Sequence, residues 1–305
     1  MGEIRVGASP QHLTLSLEAR LIRSSAFCGY NFIMISARKI VPFERVFAFY
    51  TRWYFKRNFH GLHLLGEIPV LPDEPELPLI VCMNHSGWWD VLIGVYLASE
   101  KLGWRQWYGV MDERQLQRYR FFSWLGMIGV DRTTISGVKE FLAYAQKLMC
   151  NRKVAVWVTP QGEIVSNTVR PLVLQPGVGA LAASLPGFHL LTVTIHYEFW
   201  DEPKPEAFVS FSSVKTMSAL ESRSRKVLLS QIEAQMTSQL DTLMLSVQSR
   251  DYADFTPLLI GKSGIAALYD VPRALYAKLS GKEFTSEHSG VNSPRWREKV
   301  GRDRR

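Results

Sequence analysis

The chain of 305 residues is 47% hydrophobic and 21% charged, with a formal net charge of +8 and a pI near 9.4. That balance excludes a disordered chain and leaves room for one large α/β domain with attachments. The positive excess calls for an anionic partner, which is nucleic acid, an anionic membrane face or a polyanionic substrate.

The start of the chain lacks a basic region, apolar core and small-residue cleavage site, and nowhere do about 18 consecutive apolar residues occur. Secretion and membrane spanning are therefore not expected, and Val6 stands where N-myristoylation prefers Ser or Thr. Cys28, Cys82 and Cys150 are odd in number and have no metal-ligand spacing, which fits a reducing compartment.

Residues 1–27 read as a weakly ordered lead or a short lead helix. The segment "RKIVPFERVFAFYTRWYFKRNFHGLHLLGE" (38–67) is dense in aromatics and cations. As a helix it sets Phe43, Val46, Phe47, Tyr50 and Tyr54 on one face and Arg45, Arg52 and Lys56 on another. Phe49, Trp53, Phe55 and Phe59 widen the apolar sector. Rings beside Arg and Lys suit a lipid headgroup layer, so an anionic membrane surface is the expected partner. No RNP-like strand, zinc-finger spacing or basic heptad occurs, so nucleic acid is not expected. His60 and His63 form a His-x2-His without a third clustered ligand, so no metal is expected.

Next comes "ELPLIVCMNHSGWWDVLIGVYLASEKL", with a buried strand from Leu77 to Met83, a turn at 84–87 and a helix beginning near Asp90. His85 then lies on the loop after a strand's C-terminal end, where open α/β sheets place their sites. Across that turn Asp90 can accept an N–H from His85, fixing the tautomer and leaving the other ring nitrogen to take a proton from an alcohol. A lone His-x4-Asp arises often by chance, so its weight depends on the blocks that follow.

Those blocks are "LGMIGVDR" (125–132), "TPQGEI" (159–164), "LQPGVGALAAS" (174–184) and "HLLTVTIHY" (189–197). Together the chain resembles the lysophospholipid, or 1-acylglycerol-3-phosphate (PlsC-type), acyltransferase family over roughly residues 50 to 215. Asn84, His85 and Asp90 match its Asn-His-x4-Asp block, and Gly126, Ile128, Asp131 and Arg132 match its Gly-x-Ile-x-Val-Asp-Arg block. Pro160 and Gly162 match part of its Phe-Pro-Glu-Gly-Thr-Arg block.

The resemblance implies a mixed central sheet flanked by helices, here preceded by an amphipathic helical membrane attachment. It also implies transfer of a fatty acyl group from acyl-CoA or acyl carrier protein to a lipid hydroxyl. No cofactor is then needed beyond the acyl donor itself. His85 would be the general base and Asp90 its orienter, with backbone N–H groups around Gly162 as oxyanion donors. Asn84, Arg132, Gln161, Gly162, Glu163 and Arg170 would contact substrate.

In the third block the family's Glu and Arg are replaced by Gln161 and Ile164, and Gln175 stands where a basic residue is common. Isoleucine cannot replace a bidentate guanidinium, and Glu163 repels phosphate. A neutral hydroxyl acceptor is therefore favoured over a lysophospholipid. Family members that acylate glycosylated carotenoids look similar in their "WWD" first block and divergent third block. Trp88, Trp89, Trp104, Trp107, Tyr108, Trp124 and Trp157 are candidates to line a groove for such a lipid. An α/β-hydrolase is excluded because no G-x-S-x-G occurs. A non-catalytic lipid-binding relative is the rival from another class.

The segment 217–251 has Leu220, Val227, Leu228, Ile232 and Met236 at near-helical steps, a covering helix for the sheet. The stretch 255–279 reads as a second membrane-contacting or groove-lining piece. The tail 295–305 carries six Arg or Lys against Glu298 and Asp303, half of the whole positive excess. The expected organisation is a lead (1–27), a basic aromatic attachment (28–66), an α/β domain with covering helices (67–280) and a basic tail (281–305). The location that fits is the cytoplasmic face of a bacterial inner membrane.

Overall fold

Short β-branched and apolar runs make the centre of this protein. "LIVCM" (Leu79–Met83, β2) and "VAVWV" (Val154–Val158, β5) are buried along their whole lengths, as strands covered on both faces must be. The computed structural model describes residues 34–71, 76–102, 105–200, 202–218 and 224–261. The lead segment, Trp104, Leu220, residues 262–279 and the basic tail lie outside the described residues.

The remaining strands are β1 (Gly61–Leu65), β3 (Gln106–Asp112), β4 (Met127–Val130), β6 (Gly187–Glu198), β7 (Glu206–Phe211), β8 (Lys215–Ser218) and β9 (Phe255–Ile260). They form one sheet in the order β4-β3-β5-β2-β6-β7-β1-β9, with β8 against β6. From β4 to β6 neighbours are parallel; β7 reverses against β6, β1 is parallel to β7, and β9 is antiparallel to β1. The expected mixed sheet flanked by helices is therefore present. The twelve-residue β6 meets β8 along Gly187–Leu190 and β7 along Val193–Glu198.

The helices are α1 (Val41–Asn58), α2 (Asp90–Tyr96), α3 (Glu113–Arg118), α4 (Phe122–Leu125), α5 (Ile135–Met149), α6 (Pro176–Ser184) and α7 (Arg225–Ser249). A π-helical turn, Leu97–Lys101, continues α2. Helix α7 starts where the Ser224 side chain accepts the Val227 N–H. Its Leu228, Ile232, Met236, Leu240, Leu243 and Val247 recur at steps of about four, and this buried stripe lies over β6 and β7.

The covering helix thus begins later than its sequence periodicity suggests. Met217 and Ser218 belong to β8, and Val227 faces outward. Residues 255–260 of the stretch read as membrane-contacting or groove-lining are an edge strand of the sheet, paired with β1. Strand β1 lies inside the range read as attachment, because its buried "GLHLL" joins the sheet between β7 and β9.

Helix α1 forms where the periodicity puts it, but with a different inward face. Ala48, Thr51 and Phe55 are buried, with Phe43, Phe47 and Tyr54 half-buried beside them. Phe55 packs on Phe59, which in turn packs against Trp89 and Tyr197 and sets the inward face of the helix. As a result Val46 (66% exposed), Phe49 (71%), Tyr50 (44%) and Trp53 (49%) form an i, i+3, i+4, i+7 stripe on the outside. Arg45, Arg52, Lys56 and Arg57 are exposed on the same helix. Among the described residues no helix is long and apolar enough to cross a membrane.

Candidate active site

Strand β2 delivers Asn84 to a fully buried position. Its Nδ2 donates to Asn167 Oδ1 (2.8 Å) and to the Ile195 carbonyl (2.9 Å), and its Oδ1 accepts the Ile195 N–H (2.7 Å). Both amide hydrogens are used within the protein, so Asn84 stitches the end of β2 to β6 and does not reach substrate. Asn167 continues the stitch by donating to the Ile195 carbonyl (2.8 Å) and lies 3.2 Å from His196 Nδ1.

With Asn84 pinned, His85 is the first residue of the loop. Its N–H donates to Gln161 Oε1 (2.7 Å) and its carbonyl accepts the Val165 N–H (2.8 Å). Gln161 is buried, and its carbonyl oxygen holds the His85 backbone.

The His85 side chain meets Asp90 across the turn, Nδ1 to Oδ2 at 2.8 Å. Asp90 Oδ2 also accepts the Ser86 N–H (2.6 Å) and the Gly87 N–H (2.8 Å), while Oδ1 accepts the Tyr197 hydroxyl (2.5 Å). The carboxylate is wholly buried, and these four donors compensate its lost hydration. An Nδ1–H aimed at a carboxylate leaves a lone pair on Nε2, which has no hydrogen-bond partner among the described residues. The His85 side chain is 19% exposed. Chemically, this is a partly open imidazole able to accept a proton, with its cationic form stabilised from behind.

Close approach shapes this turn. A Cβ on Gly87 would stand 3.1 Å from Tyr197 Cε2, so any larger residue would press the tyrosine ring away from the loop by a few tenths of an ångström. Burial first, then the neighbouring Asp90 charge, pushes the Tyr197 phenol well above its ordinary range and keeps it a donor.

The second and third blocks meet at the Gly162 turn. Gly162 has φ +78°, and a Cβ there would stand 2.7 Å from Arg132 Nη1. Arg132 donates from Nη1 to the Gly162 carbonyl and reaches Asp112 Oδ2 with Nε (3.3 Å) and Nη2 (3.1 Å). The Gly162 N–H donates to the Thr159 carbonyl (3.0 Å), and Val165 N–H is taken by His85. Of the backbone N–H groups around Gly162 expected as oxyanion donors, those of Gly162 and Val165 are therefore used within the protein. Glu163 and Ile164 are exposed beside it.

Arg170 lies away from this turn. It donates to Asp241 Oδ1 on α7 (2.6 Å), to the Asn167 carbonyl (2.5 Å) and to the Val169 carbonyl (2.8 Å). These contacts tie the 160–170 loop to α7, and none brings the guanidinium to His85.

The expected aromatic groove is only partly assembled. Trp107 and Trp157 are core residues on the inward pleats of β3 and β5, and Trp89 packs edge-on against Phe59 and Tyr197. Trp88 and Trp124 are exposed. Three exposed apolar residues, Trp88, Ile164 and Phe199, stand one to three residues in sequence from groups that touch His85 or Asp90.

His60 and His63 do not face this site; both converge on the buried Glu206 (3.0 Å each), which also accepts the Tyr252 hydroxyl (2.5 Å). No cluster among the described residues has the makings of a metal site.

Sequence reasoning missed Tyr197, Asn167 and Glu206. Tyr197 ends the quoted "HLLTVTIHY", but nothing in its spacing ties it to a motif more than a hundred residues earlier. Only the parallel pairing of β6 with β2 does that.

No curated protein matches the chain. The family model described as Acyltransferase matches residues 56–196, the stretch that contains His85, Asp90, Arg132, Gly162 and the end of β6 short of Tyr197. That stretch is similar to an acyltransferase domain, and the match supports an acyltransferase activity.

Proposed function

We propose that this protein moves a fatty acyl group from acyl-CoA or acyl carrier protein to the hydroxyl of a lipid. The observation that carries the reading is the 2.8 Å His85–Asp90 contact on the loop after a parallel strand, inside the stretch that the acyltransferase family model matches. His85 Nε2 takes the acceptor's proton as its oxygen attacks the thioester carbonyl. Asp90 holds the tautomer and stabilises the imidazolium. The thiolate leaves without an acid, and the proton on His85 passes to solvent. General-base assistance of this kind is worth roughly 10²–10⁴ in rate.

The favoured acceptor is a neutral or glycosylated isoprenoid or carotenoid alcohol. Arg132 is engaged by Asp112 and the Gly162 carbonyl, Arg170 by Asp241, and Glu163 adds negative charge at the turn. A phosphate there would lack a free guanidinium. A lysophospholipid such as 1-acylglycerol-3-phosphate is the second reading, since Arg132 is partly exposed and its contacts are exchangeable for a phosphate. A non-catalytic lipid-binding role is the third.

An apolar rim near the site and the stripe on α1 support attachment to an anionic membrane surface, from which acceptor would enter. Each aromatic there contributes hydrophobic area, while Arg45, Arg52, Lys56 and Arg57 contribute about 1 kcal/mol each near the charged surface.

The test is acyl transfer by the purified protein and its His85→Ala variant. Labelled long-chain acyl-CoA is offered together with a glycosylated carotenoid and lysophosphatidate. Label in the carotenoid, lost in the variant, supports both base catalysis and the neutral acceptor. Label in lysophosphatidate overturns the acceptor argument, and binding without transfer in either protein points to the lipid-binding role.

A further inference from the structure

We infer that Tyr197 is a positioning residue for the His85–Asp90 pair, the donor that anchors Asp90 to the sheet and sets how strongly it draws on the His85 ring. Three of the four donors on Asp90 come from the same turn, all of them on Oδ2. Tyr197 is the donor from outside it, and it holds Oδ1 at 2.5 Å from the far end of β6. Without the phenol, Oδ1 is a buried carboxylate oxygen with no donor, and the carboxylate loses the contact that stops it turning about its own bond. Negative charge then concentrates on Oδ2, which stabilises the His85 imidazolium and leaves less neutral base at a given pH.

The ring is held for this task. Phe59 and Trp89 pack against Tyr197 at centroid distances of 6.2 and 5.6 Å, and Gly87 leaves room beside it. Trp89 Nε1 in turn donates to Tyr54 on α1 (3.3 Å). The other titratable groups at this end of the sheet are His196 and Glu198 on β6, 3.6 Å apart, Glu163 on the loop and Tyr54 on α1. None of them has a hydrogen bond to Asp90 among the described contacts.

The inference rests on the acyltransferase reading for its kinetic arm alone. The experiment compares wild type, Tyr197→Phe, and protein carrying 3-fluorotyrosine at 197, a stronger donor of nearly the same size. Each is followed by the pH profile of kcat/KM and by the ¹⁵N titration of the His85 ring, with no substrate present in the latter. The expected result is that Tyr197→Phe moves both the low-pH limb and the ring titration up by about one pH unit, roughly a tenfold loss on that limb. Fluorotyrosine is expected to move them the other way. Unmoved titrations with a lowered Tm in Tyr197→Phe would show a structural role only and overturn the inference. If wild type transfers no acyl group, the acyltransferase reading falls while the ring titration still decides the role of Tyr197. Should Tyr197→Phe fail to fold, an unmoved titration with fluorotyrosine overturns the inference by itself.

Discussion

Two buried carboxylates in this protein each hold histidine and a tyrosine hydroxyl at 2.5 Å, yet only one has the form of a site. Asp90 stands at the first turn of α2 and meets one histidine on a loop, the rest of its shell being two backbone N–H groups and Tyr197. Glu206 begins β7 and meets two histidines at the start of β1 together with Tyr252 from the turn before β9.

His63 is buried and stacks on Phe208 at 5.3 Å, and the His60 backbone is bonded to Pro205 and Gly261. Those imidazoles tie together the part of the sheet where strand direction reverses. The same three residue types thus make a clamp when the histidines lie in paired backbone, and a candidate base when the histidine lies on a partly open loop at a strand's C-terminal end.

Substitution separates the two most sharply. His85→Ala is expected to lower acyl transfer by about 10²–10⁴-fold while leaving the urea midpoint nearly unchanged, because a partly exposed loop side chain carries little of the core. Equal loss of stability and activity would erase the distinction. Glu206→Ala should do the reverse and destabilise by about 3 kcal/mol in urea unfolding, with transfer per folded molecule retained. Asn84→Ala joins both classes, since it removes three buried hydrogen bonds next to the base. A loss of about 2–3 kcal/mol is expected, with kcat falling in the molecules that stay folded.

The pH dependence of stability sharpens the comparison further. Burial alone would raise the Glu206 carboxyl, but contacts from His60, His63 and Tyr252 outweigh it and bring it from 4.5 to about 2. That stabilisation is full above about 4.5 and disappears as pH falls toward 2. The bond to Glu206 raises His60 above 6.5 despite its partial burial, so its contribution is full below about 6.5 and is lost as pH climbs through the raised value. The difference in urea midpoint between wild type and Glu206→Gln should therefore be largest between about pH 4.5 and 6.5 and shrink on either side. A difference that does not vary with pH would remove the clamp.

The smallest expected effect concerns α1. Replacing Phe49 and Trp53 by serine should weaken binding to anionic vesicles several-fold in a flotation assay and leave Tm unchanged, because both rings are outside the core. A drop in Tm with vesicle binding intact would show that the stripe is covered by the protein itself.

Local sequence determined a good deal of this. The apolar run "LIVCM" followed by a turn reads as a buried strand, and "NHSGWWD" turns between strand and helix, which brings Asp90 within reach of His85. Those are short-range constraints, set by residue type over fewer than a dozen positions. The tertiary structure decided what no local pattern encodes. The pairing of β6 with β2 made Asn84 a stitch and brought Tyr197 to Asp90. The convergence of β1 and β7 turned His60 and His63 into a clamp on Glu206. Packing of Phe55 on Phe59 set the inward face of α1, so that Val46 and Tyr50 face outward. Periodicity shows that a helix has an apolar arc, but when that arc is wider than one contact, the volume of the cavity beneath it chooses which part is buried.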